Sequence, residues 1–243
     1  MLIARPVAHR GLHDAAAGII ENTPSAFAAA IAGNYAIECD LQISADGEAM
    51  VFHDDSLGRL TEGQGRLNAM TAVELRRMTY RATKDRLITA NELCDLVAGR
   101  VPLVVELKSL LDGDHRLVSR AAAVFSTYGG PAAMMSFDPA QMAALRDIAP
   151  ALPRGIVTDS HCGHHEWAHL SARAKRALAY FSHALRTRPQ FIAYSVDDLP
   201  AAAPLAARKL CGMPLLTWTV RTPEQRARAA RYADQMIFEG FRP

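Results

Sequence analysis

Cysteine is scarce and scattered: four in 243 residues, at Cys39, Cys94, Cys162 and Cys211. No two of them form a Cys-x-x-Cys pair, which excludes a local dithiol centre and suits isolated small hydrophobes in a reducing cytoplasm. Spacing alone leaves a disulfide open. An excess of one charge is also missing. The net charge is +2 with no basic block, which weighs against a dedicated nucleic-acid surface. Long apolar runs are absent too, each being short or broken by charge and proline, so no transmembrane span is expected. The chain reaches Pro6-Val7-Ala8-His9 without a cationic stretch followed by an apolar one, so no signal peptide is expected and the expected location is cytoplasmic. Internal repeats and low-complexity tracts are not found.

What is present is a globular composition, 50% hydrophobic, and nine short apolar runs. They start at Val7, Ala36, Met50, Pro102, Ala133, Gly155, Phe191, Pro214 and Gln235. Helical patterns separate most of them: Ser25–Ala32, Asn91–Ala98, His115–Thr127, Pro139–Ile148, His165–Arg186, Ala201–Leu210 and Pro223–Tyr232. Strands alternating with helices call for a parallel sheet. Met50–Phe52 follows its predecessor too closely for a parallel crossover, so it reads as a hairpin arm, which leaves eight parallel strands. Eight such units close as an α/β TIM (β/α)8 barrel, a fold of about 250 residues. The eighth helix is missing or truncated, because the chain ends at Pro243 soon after the last strand. Residues 1–243 are therefore expected to form one domain, with 55–100 as a small insertion near the barrel mouth.

The most informative stretch runs from Ala36 to Asp54. Glu38 and Asp40 are two apart on a strand and share a face. Asp46-Gly47 reads as a two-residue hairpin loop, which would set Ala45 opposite Glu48 and His53 opposite Asp40. In a barrel of this kind the carboxyl ends of the strands line the site. Those ends carry His9 and Arg10, then Glu38 and Asp40, then Glu106 and Lys108, with Trp218 on the seventh strand and His53 on the hairpin. Buried Glu, Asp and Lys are seldom tolerated unpaired. Three carboxylates with no thiolate suit a hard divalent ion, Mg²⁺ or Ca²⁺. Arg10 and Lys108 add anion-binding capacity, with phosphate the natural guest, and two histidines suit an acid and a base near neutral pH.

The ordered motifs are His9-Arg10-Gly11, Glu21-Asn22-Thr23-Pro24 with Ala26-Phe27, Ile37-Glu38-Cys39-Asp40, Asp46-Gly47 and Val51-Phe52-His53-Asp54. Arg59 and Thr61 with Gly65, Glu106-Leu107-Lys108 and Trp218-Thr219-Val220 complete the set. Together they resemble the glycerophosphodiester phosphodiesterase family over nearly the whole chain. The resemblance implies a TIM barrel with a bound divalent cation that hydrolyses a small-molecule glycerophosphodiester to glycerol 3-phosphate and an alcohol. Carried over by motif, Glu38, Asp40 and Glu106 are the metal ligands, His9 and His53 the acid–base pair, and Arg10 and Lys108 the phosphate holders. Trp218 is expected to wall the glycerol end. The assignment of acid and base, the native metal, the head group and the oligomeric state stay open.

Two departures stand out. Arg221 follows Trp218-Thr219-Val220 where the family commonly has Asn, and the last strand ends Phe238-Glu239-Gly240 where Thr-Asp is common. Alternatives on the same site are a lysophospholipase D or a lyase that leaves a cyclic phosphate. A barrel that binds phosphodiesters without turnover is disfavoured, since both histidines and all three carboxylates are present. The histidines at 161, 164, 165 and 169 are read as a polar loop running into a surface helix rather than a zinc site, with His161 kept as a substrate contact. Arg173, Lys175 and Arg176 read as a solvated helix face, and Met134 and Met135 as core.

Overall fold

The computed structural model describes residues 4–160 and 170–243. Its strands are β1 Val7–Ala8, β2 Ala36–Ile43, β3 Ala49–Val51, β4 Leu103–Leu107, β5 Ala132–Ser136, β6 Arg154–Thr158, β7 Phe191–Ser195, β8 Leu215–Val220 and β9 Gln235–Phe238. The helices are α1 Pro24–Ala32, α2 Ala72–Arg76, α3 Ala90–Val97, α4 Arg116–Phe125, α5 Pro139–Ile148, α6 Ala172–Ala179, α7 Ala184–Thr187, α8 Ala202–Cys211 and α9 Pro223–Tyr232. Eight strands pair in parallel from β1 through β9, β8, β7, β6, β5 and β4 to β2, and a β1–β2 pairing closes the ring. Among the described strands only β3 runs antiparallel, against β2. The fold is the expected TIM barrel, and no helix follows β9 before Pro243.

Strand periodicity splits the core in two. Val7, Ala36, Val104, Met135, Val157 and Ile237 belong to one buried cluster inside the ring. Their alternates Ile37, Cys39, Leu41, Leu103, Val105 and Met134 pack outward with residues of the helices. Met134 and Met135 are core, as expected. Inside the barrel Gly155 leaves room for Phe191, whose ring would lie 2.3 Å from a Cβ at that position. Side chains at Ala36, Glu38 and Asp40 share a strand face, so the row that begins as core ends as carboxylates at the mouth.

Local signals set the helix starts. Pro24 occupies the first turn of α1 after Thr23, and capping boxes Thr71–Glu74 and Thr89–Glu92 open α2 and α3. The segment between β3 and α3 has a small buried cluster of its own, with Leu57, Leu67, Leu75, Tyr80 and Leu87 packing on Met50 and Phe52.

Two local expectations change. The hairpin ladder pairs Leu41 with Val51 and Ile43 with Ala49, so the loop holds three residues, Ala45 to Gly47, and Asp40 faces Phe52 instead of His53. Gly47 supplies the positive φ of +83° that such a loop needs. The single long helix expected over His165–Arg186 is interrupted between α6 and α7, where Phe181 takes φ +55°. The first part of that span, and the histidines at 161, 164, 165 and 169, lie outside the described residues. Among the described residues no helix is long and apolar enough to cross a membrane. Cys39, Cys94 and Cys211 are free thiols, and Cys162 lies outside the described residues.

Candidate active site

β2 and β4 are parallel neighbours in a register that sets Asp40 beside Glu106 and leaves Glu38 one pleat below. One carboxylate oxygen from each of Glu38, Asp40 and Glu106 lies within 4.8 Å of the other two. All three are buried: Glu38 and Asp40 are 2% exposed and Glu106 is 8%. Lys108 extends from the end of β4 to set Nζ 2.9 Å from Glu106 Oε1 and 3.6 Å from Asp40 Oδ1.

The loop after β1 brings two more groups. Arg10 sits at φ +55° and Gly11 at φ +80°, where a Cβ would meet Ala26 at 2.9 Å, so the chain turns tightly against α1. That turn aims the Arg10 backbone N–H at Glu38 Oε2 (2.9 Å) and its Nε at Asp40 Oδ2 (3.4 Å). Glu21 accepts from the Arg10 guanidinium at 2.7 Å, and Asn22 Nδ2 donates to Asp40 Oδ2 at 2.8 Å.

Each histidine has a carboxylate on Nδ1. His9 Nδ1 lies 2.6 Å from Glu239 Oε2, with Nε2 4.0 Å from Glu38 Oε2. His53 Nδ1 lies 2.8 Å from Asp54 Oδ1. Arg59 donates to both oxygens of Asp54 and also to Glu21, so one chain of charges runs from His53 through Asp54, Arg59 and Glu21 to Arg10.

Electrostatics follow from burial and neighbours. Burial, then the charges of Asp40 and Glu106, push the Glu38 carboxyl well above the usual carboxylate range. Burial also opposes ionisation of Asp40, but Lys108, His53 and Arg10 outweigh it and hold that carboxyl below its ordinary value. Lys108 moves up, because Glu106 and Asp40 outweigh its own desolvation. His9 moves down, chiefly through burial and partly through Arg10, although its hydrogen bond to Glu239 acts the other way. Glu239 drops to about 2, as the hydrogen bond from His9 and the charges of His9 and Arg221 overcome its burial. Glu239 is thus an acceptor, and the His9 Nδ1–H donates.

A buried carboxyl forced upward by two like neighbours marks a place short of positive charge. The three oxygen donors, close together and without a thiolate, fit a hard divalent cation. A cleft of about 380 Å³ opens over the cluster. His9, Arg10, Glu38, His53, Glu106 and Lys108 line its polar side. Leu111, Phe137, Val157 and Trp218 line its apolar side, with Trp218 edge-on to Phe137 at 5.5 Å. Asp40, the third member of the cluster, does not line the cleft itself and is paired there with Lys108 and Arg10.

Of the residues picked out in the sequence, the eight at the strand ends and on the hairpin therefore lie together in one place, His53 included, even though its strand register is shifted by one, and His161 lies outside the described residues. Missed there was Glu239, together with the contacts of Asp54, Arg59, Glu21 and Asn22. Glu239 and Arg221 each follow directly on a strand, β9 and β8, so the strand-end rule that found the others also covers them. Of the three residues read as a solvated face of α6, Arg173 and Arg176 are exposed and Lys175 is partly buried.

Fold and cleft together define an α/β-barrel protein with acidic, basic and imidazole groups gathered at one mouth. Within that class, the chain belongs to the glycerophosphoryl diester phosphodiesterase family, whose profile matches residues 9–240. A Mycobacterium tuberculosis protein named "Probable glycerophosphodiester phosphodiesterase 1" is 30% identical over 171 residues, 60% of this chain and 61% of that protein. The alignment thus spans less than two thirds of that relative's length. A glycerophosphodiester phosphodiesterase of Caldanaerobacter subterraneus is 27% identical over 233 residues, 91% of this chain and 88% of the relative. Among solved structures, an Oleispira antarctica phosphodiesterase in complex with the product sn-glycerol-3-phosphate superposes with a TM-score of 0.79. It covers 98% of this chain and 93% of its own at 18% identity, a likeness of fold.

Proposed function

We propose that this protein hydrolyses glycerophosphodiesters to glycerol 3-phosphate and an alcohol. The observation that carries the reading is the buried trio Glu38, Asp40 and Glu106 at the floor of a cleft flanked by two histidines and two cations. Family membership and the names of the relatives support the substrate class.

In this reading Glu38, Asp40 and Glu106 hold a divalent cation, Mg²⁺ or Ca²⁺ by the chemistry of an all-oxygen donor set. When bound, such an ion neutralises charge that builds on phosphoryl oxygens in the transition state. Arg10 and Lys108 bind the non-bridging oxygens and keep the phosphorus between the histidines. One histidine takes the proton of the attacking oxygen, from water or from the neighbouring glycerol hydroxyl, and the other returns a proton to the leaving alkoxide. Trp218 and Phe137 give the substrate an apolar wall. Residues 1–243 act as one catalytic domain, and 55–100 serve as an insertion whose Arg59 braces Asp54 beside His53.

The apolar side of the cleft favours one second reading, a lysophospholipase D or cyclising lyase whose lipid end lies against Leu111, Phe137 and Trp218. The deciding experiment is a panel of glycerophosphodiesters with different alcohols, coupled to detection of glycerol 3-phosphate. Turnover that EDTA silences and added Mg²⁺ or Ca²⁺ restores is expected. Binding without turnover, or full activity in metal-free buffer, would overturn the proposal, and a cyclic phosphate in the phosphorus NMR spectrum would favour the lyase.

A further inference from the structure

The two positions at which the chain departs from the family pattern, Arg221 and Glu239, meet each other at His9. β9 pairs with β1 so that Ile237 lies beside Val7 and Phe238 beside Ala8. The next residue on each strand is Glu239 and His9, which become neighbours although 230 positions separate them. β8 pairs with β9 through Val220 and Phe238, so Arg221 is the third strand-end residue in the same row. The backbone holds that row tightly: His9 N–H donates to Phe238 O at 2.9 Å, and Glu239 N–H donates to Val220 O at 3.0 Å.

The side chains complete a relay. A single oxygen of Glu239, Oε2, accepts from His9 Nδ1 at 2.6 Å and from the Arg221 guanidinium at 2.9 Å. Its other oxygen lies 3.9 Å from His13 Nε2. An imidazole bonded at Nδ1 to a carboxylate has its tautomer and ring plane fixed, which leaves the Nε2 lone pair for chemistry on the other side. His9 Nε2 is on that other side, 4.0 Å from Glu38 Oε2 and lining the cleft. Arg221, half exposed, does not touch the histidine. It holds the carboxylate that does.

The geometry points to Glu239 as the positioning residue of His9, with Arg221 positioning Glu239 in turn. This rests on the reading of His9 as one of the acid–base pair. Glu239 does not line the cleft and makes no hydrogen bond to the cluster of Glu38, Asp40, Glu106 and Lys108, so in its variants substrate affinity should stay while turnover falls; Arg221 does line the cleft, so its part in positioning is read only through its dependence on Glu239.

The test uses the whole chain carrying Glu239→Ala, Glu239→Gln and Arg221→Gln. Glu239→Ala should lower kcat by about 10- to 100-fold with KM within about two-fold, the usual scale for losing an outer carboxylate on a working histidine. Glu239→Gln, which keeps an acceptor oxygen and the side-chain shape, should recover part of that loss. Arg221→Gln should cost a few-fold alone and nothing more in the Glu239→Ala background, because its effect passes through the carboxylate. A second readout needs no turnover: the ¹⁵N-detected imidazole spectrum of His9, assigned by its loss in His9→Ala, should show the Nδ1–H tautomer in the unaltered protein and shift toward Nε2–H in Glu239→Ala. If His9→Ala is inactive while Glu239→Ala matches the unaltered enzyme, this inference falls and the phosphodiesterase reading stands. If the unaltered protein turns over no glycerophosphodiester, that reading falls, and the tautomer of His9 still decides the present one: no change in Glu239→Ala overturns it.

Discussion

At 2% exposure the Glu38 carboxyl has almost no water to answer its charge, and two further carboxylates lie within 4.8 Å. Two cations close the gap only in part, since Lys108 favours Glu106 and Arg10 leans on Asp40 and Glu21. The two histidines proposed as the acid–base pair are each held by a carboxylate on Nδ1. His53 rests on Asp54, which takes two hydrogen bonds from Arg59, at 2.6 and 3.0 Å. That brace reaches the carboxylate trio only through Glu21 and Arg10, whereas His9 lies 4.0 Å from Glu38 itself, which makes His53 the cleaner of the two histidines to remove. His53→Gln should cut kcat by about 10²- to 10⁴-fold, the range for losing a general acid or base. Its calorimetric titration with Mg²⁺ should match the unaltered protein, because His53 supplies no ligand oxygen. Retained turnover would take His53 out of the chemistry.

Elements were legible in the sequence wherever one local rule decided them, and blurred wherever a distant contact did. The Thr71-Ala72-Val73-Glu74 capping box and proline in the first turn of α1 are rules of a few residues, and both are present in the structure; the same rule covers Thr89 and Glu92 at α3. The hairpin loop is different. Asp46-Gly47 suits a two-residue turn, yet Ala45 N–H donates to Met70 O and Asp46 Oδ1 accepts from Ala72 N, so the segment before α2 draws one more residue into the loop. The break between α6 and α7 likewise has no Gly or Pro to announce it. Asp234 shows how such distant ties stabilise an element. It accepts from Arg208 in α8 at 2.9 and 2.7 Å and from Leu215 N–H at the start of β8 at 2.8 Å, from its own place just before β9. Burial would raise its pKa, but Arg208 and the Leu215 N–H hold it below the usual value. A carboxyl depressed on folding adds stability above its unfolded pKa of about 3.9 and loses it as pH falls through the folded value. Asp234→Asn should therefore cost about 1 kcal/mol in urea unfolding near pH 7, a figure discounted for solvent screening. The two proteins should converge once pH falls below the depressed pKa of Asp234, where a protonated aspartic acid and an asparagine differ little. A gap that persisted there would mean that the charge of Asp234 is not what matters.

Across the whole molecule, closing the barrel and assembling the cleft are one event. The ring is completed by a strand of only two residues, Val7 and Ala8, held between β2 and β9, and His9 and Arg10 follow it at once. Strand number and order could be read from the alternation of apolar runs, since each run needed only its own neighbours. The pairing of Glu239 with His9 could not, because no local pattern couples the first strand to the last until the ring closes. On the outside of that seam Phe238 is buried beneath Tyr35, with ring centroids 5.0 Å apart, and Phe241 packs on it at 5.5 Å. Phe241 shields this joint on the C-terminal side, and Arg226 lies over its ring at 5.9 Å. Removing a half-buried phenylalanine ring should cost about 2 kcal/mol, less than the 3–5 of a fully buried one. For a chain of this size that lowers Tm by about 4–8 °C. The loss should not be spread evenly. In Phe241→Ala, hydrogen exchange should quicken first at the His9 amide, which donates to Phe238 O, and at the Ala36 amide, which donates to Pro6 O. Amides of β5 and β6, on the far side of the ring, should stay protected until global unfolding. Activity should fade at the temperature where the seam opens, because opening it parts His9 from Glu239. Uniform acceleration of exchange around all eight staves would instead mean that the barrel opens everywhere at once, and that the two-residue strand is no weaker than the rest.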